Sequence, residues 1–329
     1  MWYRLLILFG AVILSFKTGT AQDAEFSQFY ANPLYLNPAL TGAEICPRLV
    51  INYRNQWPGL NNNFVNYNAS YDQYFEKLHG GVGLLMNVDN VGEGILRSSQ
   101  ISLMYAYTLH AARNLYINMA LEGSFCQKSL NWDLMQFEDQ IDLQHGFILQ
   151  TGELPPDYTT IIFPDFDVGA IFGWKDILHG GFAFHHLTEP NMAFYVNNKD
   201  DLHIKFTFHF GGNIYFKRGG ETGFEPVFYI APNILYQQQG NFHQLNAGLY
   251  VVRTPLVIGT WFRHNFENAD AFIVLIGINY KSLKIGYSYD ITLSKLKSMT
   301  GGAHEVSLSW QFQCIEKLRK LHPYSAPGF

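Results

Sequence analysis

Residues 22–57 read QDAEFSQFYANPLYLNPALTGAEICPRLVINYRNQW, and the two halves of this stretch obey different rules. The first half is dense in Tyr, Asn and Pro, and Asn32-Pro33 and Asn37-Pro38 are turn formers. It reads as an ordered extended or turn-rich segment, not as a helix. The second half alternates. Leu49, Ile51, Tyr53 and Trp57 fall on one side, and Arg48, Asn52, Arg54 and Gln56 on the other. A period of two marks a strand with one apolar and one polar face.

The same design recurs along the chain. Ile101, Leu103, Tyr105, Tyr107 and Leu109 alternate with Ser102, Met104, Ala106 and Thr108. Leu115, Ile117, Met119 and Leu121 alternate with Tyr116, Asn118, Ala120 and Glu122. Near the end, Leu283, Ile285, Tyr287 and Tyr289 alternate with Lys284, Gly286, Ser288 and Asp290. Val306, Leu308, Trp310 and Phe312 alternate with Glu305, Ser307, Ser309 and Gln311. About fourteen such segments fit between Arg48 and Phe312, an even number as in bacterial outer-membrane barrels. A soluble sandwich would carry its charge on the second face, whereas here that face is Ser, Gly, Asn and Tyr, suited to a lumen.

Composition agrees. Charged residues are 15% of the chain, against about 25% in ordinary soluble domains, and aromatics are 16%. Mean hydropathy is -0.04, and beyond the N-terminus no run approaches the roughly 20 apolar residues of a spanning helix. Strands that face lipid on one side and water on the other average to such a value. The formal charge of -5 comes without a basic patch interleaved with aromatics, so nucleic acid is not an expected partner. The fold class expected is all-β: a transmembrane antiparallel outer-membrane barrel with an N-terminal periplasmic or plug segment.

Residues 1–21 form a separate unit. Arg4 supplies a positive start, Leu5 to Phe16 an apolar core, and Gly19-Thr20-Ala21 a small-residue cleavage site, the pattern of an export signal. No Cys follows at lipoprotein spacing. The expected organisation is a signal peptide at 1–21, a periplasmic or plug segment at 22–47, the barrel at 48–312 and a periplasmic tail at 313–329. Loop lengths fit the barrel: one end has short connections such as His110–Arg113, Lys175–Asp176 and Lys281–Ser282. The other end has Asp89–Arg97, Leu187–Asp201, Asp290–Gly302 and the long Lys128–Pro164.

Closure of a barrel pairs its first and last strands. Cys46 precedes the first strand and Cys314 follows the last, so both fall at one rim, and a Cys46–Cys314 disulfide is expected there. Two unpaired thiols is the alternative, because connectivity is not readable from sequence. Cys126 falls mid-strand, as a lone buried or lipid-facing thiol.

The motif FSQFYANPLYLNPALTG at 26–42, followed by NYRNQWPG at 52–59 and NASYD at 68–72, resembles the PorP/SprF family of type IX secretion system membrane proteins. Further matches are GGVGLLMNVDNVGEG at 80–94, YAY at 105–107, HHLTEPN at 185–191 and HEVSLSWQF at 304–312. The motif positions are Phe26, Gln28, Tyr30, Asn32, Pro33, Asn37, Pro38, Gly42, Tyr53, Arg54, Gln56 and Trp57. The resemblance implies an outer-membrane barrel without catalysis that helps to secrete a surface protein or adhesin and hold it on the cell, with type IX secretion components as partners and gliding motility as one setting. In the tail, SAPGF lacks the further Cys that many members show, which leaves open the partner of Cys314.

The remaining candidates weigh as follows. Arg48 and Arg54 on the polar face read as inward structural charges, paired with acidic residues such as Asp72 or Glu122 or meeting a plug. The loop 128–164 carries Asp133, Glu138, Asp139, Asp142, Glu153 and Asp157 without calcium-loop spacing, and reads as a solvated surface facing a partner. His185 and His186 are neighbours in a strand and should point to opposite faces, so no metal and no cofactor is expected. Ser294 to Lys297 satisfies S-x-x-K, and Lys17-Thr18-Gly19 reads K-T-G, but no S-D-N accompanies them and the match is fortuitous. Two functions compete: a secretion-accessory barrel, and a porin-like or fatty-acid-transporter-like channel. A filled lumen with a large outer surface favours the first; an apolar pocket with a lateral opening and a hatch favours the second.

Overall fold

Fourteen antiparallel strands close on themselves, so that no strand presents an unpaired edge to the bilayer, where an unmet backbone amide is costly. The computed structural model describes residues 23–44, 46–60, 63–112, 114–142, 144–217, 227–266, 268–293 and 301–314. The expected export signal at 1–21, the expected tail beyond 314 and the run at 294–297 lie outside the described residues. The strands are β1 Arg48–Gln56, β2 Phe64–Phe75, β3 Gly80–Val91, β4 Leu96–Ala112 and β5 Leu115–Leu130. Then follow β6 Thr160–Trp174, β7 Leu178–His185, and β8, which runs Lys205–Gly212 and, past a break at Asn213, Ile214–Lys217. The circuit ends with β9 Phe228–Gln239, β10 Phe242–Arg253, β11 Leu256–Asn265, β12 Asn268–Tyr280, β13 Leu283–Thr292 and β14 Ala303–Gln311.

Closure is made by β1 against β14, from Arg48 opposite Gln311 to Gln56 opposite Ala303. Alternation decides which face each residue takes. Leu103 and Leu121 stand 64% and 67% exposed on the outside, while Ser102 and Ala106 on the inside are 0% exposed. Among the described residues no helix is long and apolar enough to cross a membrane; here the strands do it. Trp57 departs from the expected β1 pattern. It lies past the strand end with φ 60°, where its amide donates to Gly302 O at 2.8 Å and its ring meets Phe64 edge-on.

One rim carries the short connections and both flanks of the seam; the other carries the long loops. The loop expected at 128–164 is shorter, because β5 runs to Leu130 and β6 starts at Thr160. Within it, Ile141–Asp142 pairs with Gly146–Phe147 as a small hairpin. Three of its acids serve the loop backbone: Asp139 accepts from Thr151 and Gly152, Asp142 from Gln144 and His145, and Asp157 from Val196 N across to the next long loop. At the short-turn rim, Cys46 and Cys314 are bonded with Cα atoms 4.9 Å apart, inside bridging range. Cys126 is a free, buried thiol whose strand face is luminal.

The interior is not the uniformly polar face that the clearest strands suggest. On β9–β12 the inner wall is Ala231, Leu235, Tyr250, Val252, Val257, Trp261, Ile273 and Leu275, all buried. These residues join Phe29, Tyr30, Leu36, Ala39 and Leu40 in one apolar cluster. The reason is that the N-terminal segment occupies the lumen and presents apolar side chains to that wall.

Two outcomes are expected. Leu121→Arg on the lipid face should lower the stability of the barrel folded into vesicles by about 2–4 kcal/mol, read as a lower urea midpoint, while Leu154→Arg in the exposed loop should leave it unchanged. Alkylation of the denatured, unreduced protein should label Cys126 alone; labelling of Cys46 and Cys314 would show that the rim bond does not form.

Candidate functional site in the barrel lumen

Residues 23–44 fold as a string of single turns: a 3-10 turn at Phe29–Ala31, a helical turn at Pro33–Leu36 and a 3-10 turn at Pro38–Leu40. Pro33 and Pro38 each sit at the first or second position of their turn, where a missing N–H costs nothing. Asn37 caps the last turn by accepting from Ala39 N at 2.9 Å. Its amide donates outward to the wall carbonyls of Ala170, at 3.3 Å, and Phe182, at 3.1 Å. Gly169 makes room for it: a Cβ there would lie 2.2 Å from Asn37 Oδ1. Gly42, at φ +67°, passes so close to the wall that an added Cβ would come within 2.5 Å of Gly81 Cα. Its amide donates to Asp72 Oδ2 at 2.8 Å.

A buried charge clamp fastens the plug to the seam. Arg54 of β1 donates to Glu305 at 3.2 Å and to Asp290 at 3.0 Å, and Arg263 of β11 reaches Asp290 at 3.1 Å. At its centre is Ser27, which is fully buried. Its hydroxyl donates to Asp290 Oδ2 at 2.6 Å and accepts from Arg54 at 2.6 Å and Arg263 at 2.8 Å. Ser27 N and Gln28 N both donate to the Glu305 carboxylate, at 2.6 and 3.1 Å. A second pair, Arg48–Asp72, is bidentate at 2.9 and 3.0 Å and holds the same carboxylate that receives Gly42 N.

A third cluster lies towards the long-loop rim, beside a cavity of about 130 Å³ between the plug and the β3–β8 wall. Asp23, Glu122, Asp167, His185, His186 and Lys205 line its charged side, and Leu34, Leu85, Met192 and Leu202 its apolar side. Met192 and Leu202 belong to the loop between β7 and β8, which lies over this chamber. The expectation that His185 and His186 face opposite ways fails here. His186 follows β7 with φ 61°, and this left-handed turn brings both rings inside. His185 Nδ1 is 2.9 Å from Asp167 Oδ2; His186 joins Asp165 through Nδ1 and Asp23 through Nε2, at 2.5 and 2.8 Å. Two members stand outside the spanning strands. His186 is pushed up to about 10: burial opposes its charge, and Asp23, Asp165 and Asp167 outweigh burial. Asp23 is held well below the usual carboxylate range, because His186 and Lys205 outweigh its own burial.

Of the motif positions, Phe26, Gln28, Tyr30, Asn32, Pro33, Asn37, Pro38 and Gly42 line the plug and are buried. Gln28 is tied to β14 through Glu305 O, at 2.9 Å, and Ser307. Tyr30 sits edge-on to His179 and His209. Arg54 and Gln56 share a hydrogen bond at 3.3 Å on the inner face, whereas Tyr53 faces lipid beside Tyr67. Arg48 takes the expected Asp72, but Glu122 pairs with neither arginine; it lies across the lumen near Asp167. Ser27, Asp290, Glu305, Arg263 and Asp23 were not singled out from the sequence. Closure carried the signal for one of them, since Arg54 stands directly opposite Glu305 in the seam.

A closed antiparallel barrel with a lipid-facing exterior and a plugged lumen defines an integral outer-membrane protein. Its fold is similar to that of the toluene transporter TbuX of Ralstonia pickettii, at TM-score 0.51 and 10% identity over 90% of this chain and 96% of that one. The toluene transporter TodX of P. putida is also similar, at 0.50 and 10% identity over 86% and 95%. No curated protein sequence matches significantly. The chain belongs to the PorP/SprF family of type IX secretion system membrane proteins, whose match spans residues 18–310. Family and fold together place it in the bacterial outer membrane.

Removing one cation from the clamp strands buried carboxylates, a loss of about 3–5 kcal/mol where a partner is deleted. Arg54→Met should therefore release the N-terminal segment. New protease cleavage within residues 23–44, with the barrel core intact, is the expected readout.

Proposed function

We propose that this protein is an accessory barrel of the type IX secretion system that escorts a secreted surface protein, such as an adhesin, and retains it on the cell, in some settings for gliding motility. The observation that carries this reading is a lumen occupied by the chain's own residues 23–44 and clamped by buried ion pairs. Such an interior suits a scaffold better than a conduit. Residues 1–21 are the export signal in this reading, the short-turn rim with Cys46 and Cys314 faces the periplasm, and the long loops face outward. The two longest loops are joined to each other through Tyr158 N to Phe194 O and Val196 N to Asp157. Together they present acidic side chains and exposed Ile148, Leu149 and Leu154 to a partner. We read no catalytic role in the chain.

A second reading, a channel for small apolar solutes, draws on the chamber beside the plug and on the fold shared with the two toluene transporters. The two readings separate in one experiment. Tagged protein purified from envelopes should bring down a secreted surface protein and type IX components, and should be silent in planar bilayers. Steady conductance with no such partner recovered would support the channel instead.

A further inference from the structure

We propose that Glu122, Asp167 and His185 bind one divalent first-row transition metal ion in the lumen. The inference is independent of the secretion reading. Glu122 on β5 and Asp167 on β6 stand directly opposite each other in the strand register. Both are buried, at 4% and 3% exposure. Like charges placed so are destabilising, and a buried carboxylate requires a counter-charge or a proton. Asp167 has His185, but Glu122 accepts only from hydroxyls, Ser124 Oγ at 3.2 Å among them, and has no ion-pair partner among the described residues. It is a buried carboxylate lining the chamber, and two cations there, His186 and Lys205, are hydrogen-bonded to other carboxylates.

The neighbouring groups supply the remainder of a coordination site. Ligand atoms of Glu122, Asp167 and His185 all lie within 4.8 Å of one another. The 2.9 Å between His185 Nδ1 and Asp167 Oδ2 also matches two ligands about 2.1 Å from one ion at about a right angle. Asp167 is oriented from behind, because His186 N donates to its other oxygen at 2.9 Å. Outer partners of that kind fix first ligands in metal sites. The left-handed turn at His186 is what aims this amide. A second triad, Asp165, Asp167 and His186, is excluded because both ring nitrogens of His186 are already committed to Asp165 and Asp23. Lys205, the cation beside the site, is turned towards Asp23 at 3.3 Å and the Tyr35 ring. One imidazole and two carboxylates favour zinc, manganese or iron over calcium or magnesium, which take oxygen ligands. The adjoining cavity leaves room for water in the remaining positions.

The test uses the full chain in detergent, free of any polyhistidine tag, stripped with chelator and desalted. After incubation with Zn²⁺ or Mn²⁺ and a second desalting, elemental analysis should find a single ion per chain in the wild type. Glu122→Gln and His185→Gln should lose it on the same column, with folding checked by heat-dependent gel migration. Asp89→Asn, which alters another carboxylate lining the chamber, should retain it. If the two ligand variants do not fold, the wild type alone decides, since Zn²⁺ should raise the unfolding temperature of the stripped protein. A wild type that keeps neither ion and shows no such shift, or folded variants that bind as well as wild type, would overturn the proposal.

Discussion

A hydroxyl with one hydrogen to give and two lone pairs to offer is used to capacity at Ser27. It donates to Asp290 and accepts from Arg54 and Arg263, while Glu305 takes the backbone amides on either side. Two guanidiniums and two carboxylates are thereby neutralised in a space closed to solvent, each side chain being buried. The arrangement is conditional in both directions. Without the plug, the charges lose the hydroxyl and the amides that complete their shells; without the charges, the plug loses its anchor to the seam. Buried ion pairs are weak stabilisers compared with apolar packing, but they are strict about geometry. Here that strictness fixes β14, β13, β11 and the N-terminal segment about one point, next to the strand pair that closes the barrel.

The lumen has two characters, and the plug matches both. Towards β9–β12 it is a dry core of Trp261, Tyr250, Ile273 and Leu275 against Phe29, Leu36 and Leu40. Around the rest of the circuit it is mostly polar, and the plug answers with Ser27, Gln28, Asn37 and the Gly42 amide. This explains why a short segment built from single turns is ordered at all. Its backbone groups are met by the wall, as at Asn37 and Gly42, and its apolar side chains have a core to join. The exterior is apolar for a different reason, since it meets lipid. Over the part of their length that meets this core, strands β9–β12 are therefore apolar on both faces, a pattern usually associated with buried strands of soluble proteins.

These facts separate what the sequence disclosed from what it hid. Alternation over β4, β5, β13 and β14 made the barrel legible, because lipid and lumen impose opposite demands on successive residues. Closure made the β1–β14 pairing legible, and with it the neighbourhood of Arg54 and Glu305. For Arg48 the sequence offered Asp72 and Glu122 together, and the β1–β2 hairpin selects Asp72 by placing it opposite. The two-faced apolar strands were less so, because a plug's shape leaves no periodic mark on the wall that receives it. The histidine pair was misread on a single dihedral: period two predicts opposite faces for His185 and His186, and the left-handed turn at His186 cancels the rule. Asp23 was hidden more deeply, for its partners are about 160 to 180 residues away and become neighbours only once the plug is inside.

The two flanks of the plug are not equivalent, and the difference decides how the interior could ever open. On the seam side its contacts are charge-saturated and wholly buried, so separating them exposes four charges and the Ser27 hydroxyl together. On the β3–β8 side the start of the plug stands off from the wall towards the long-loop rim, leaving the chamber, and the polar contact across it is Asp23 with His186 and Lys205. Asp23 is partly exposed, at 20% of its side-chain surface. Local opening follows the region of least burial and fewest buried apolar contacts. Any rearrangement of this lumen would therefore begin beneath the loop that carries Met192 and Leu202 and pivot about the clamp, with β1 and β14 still closed.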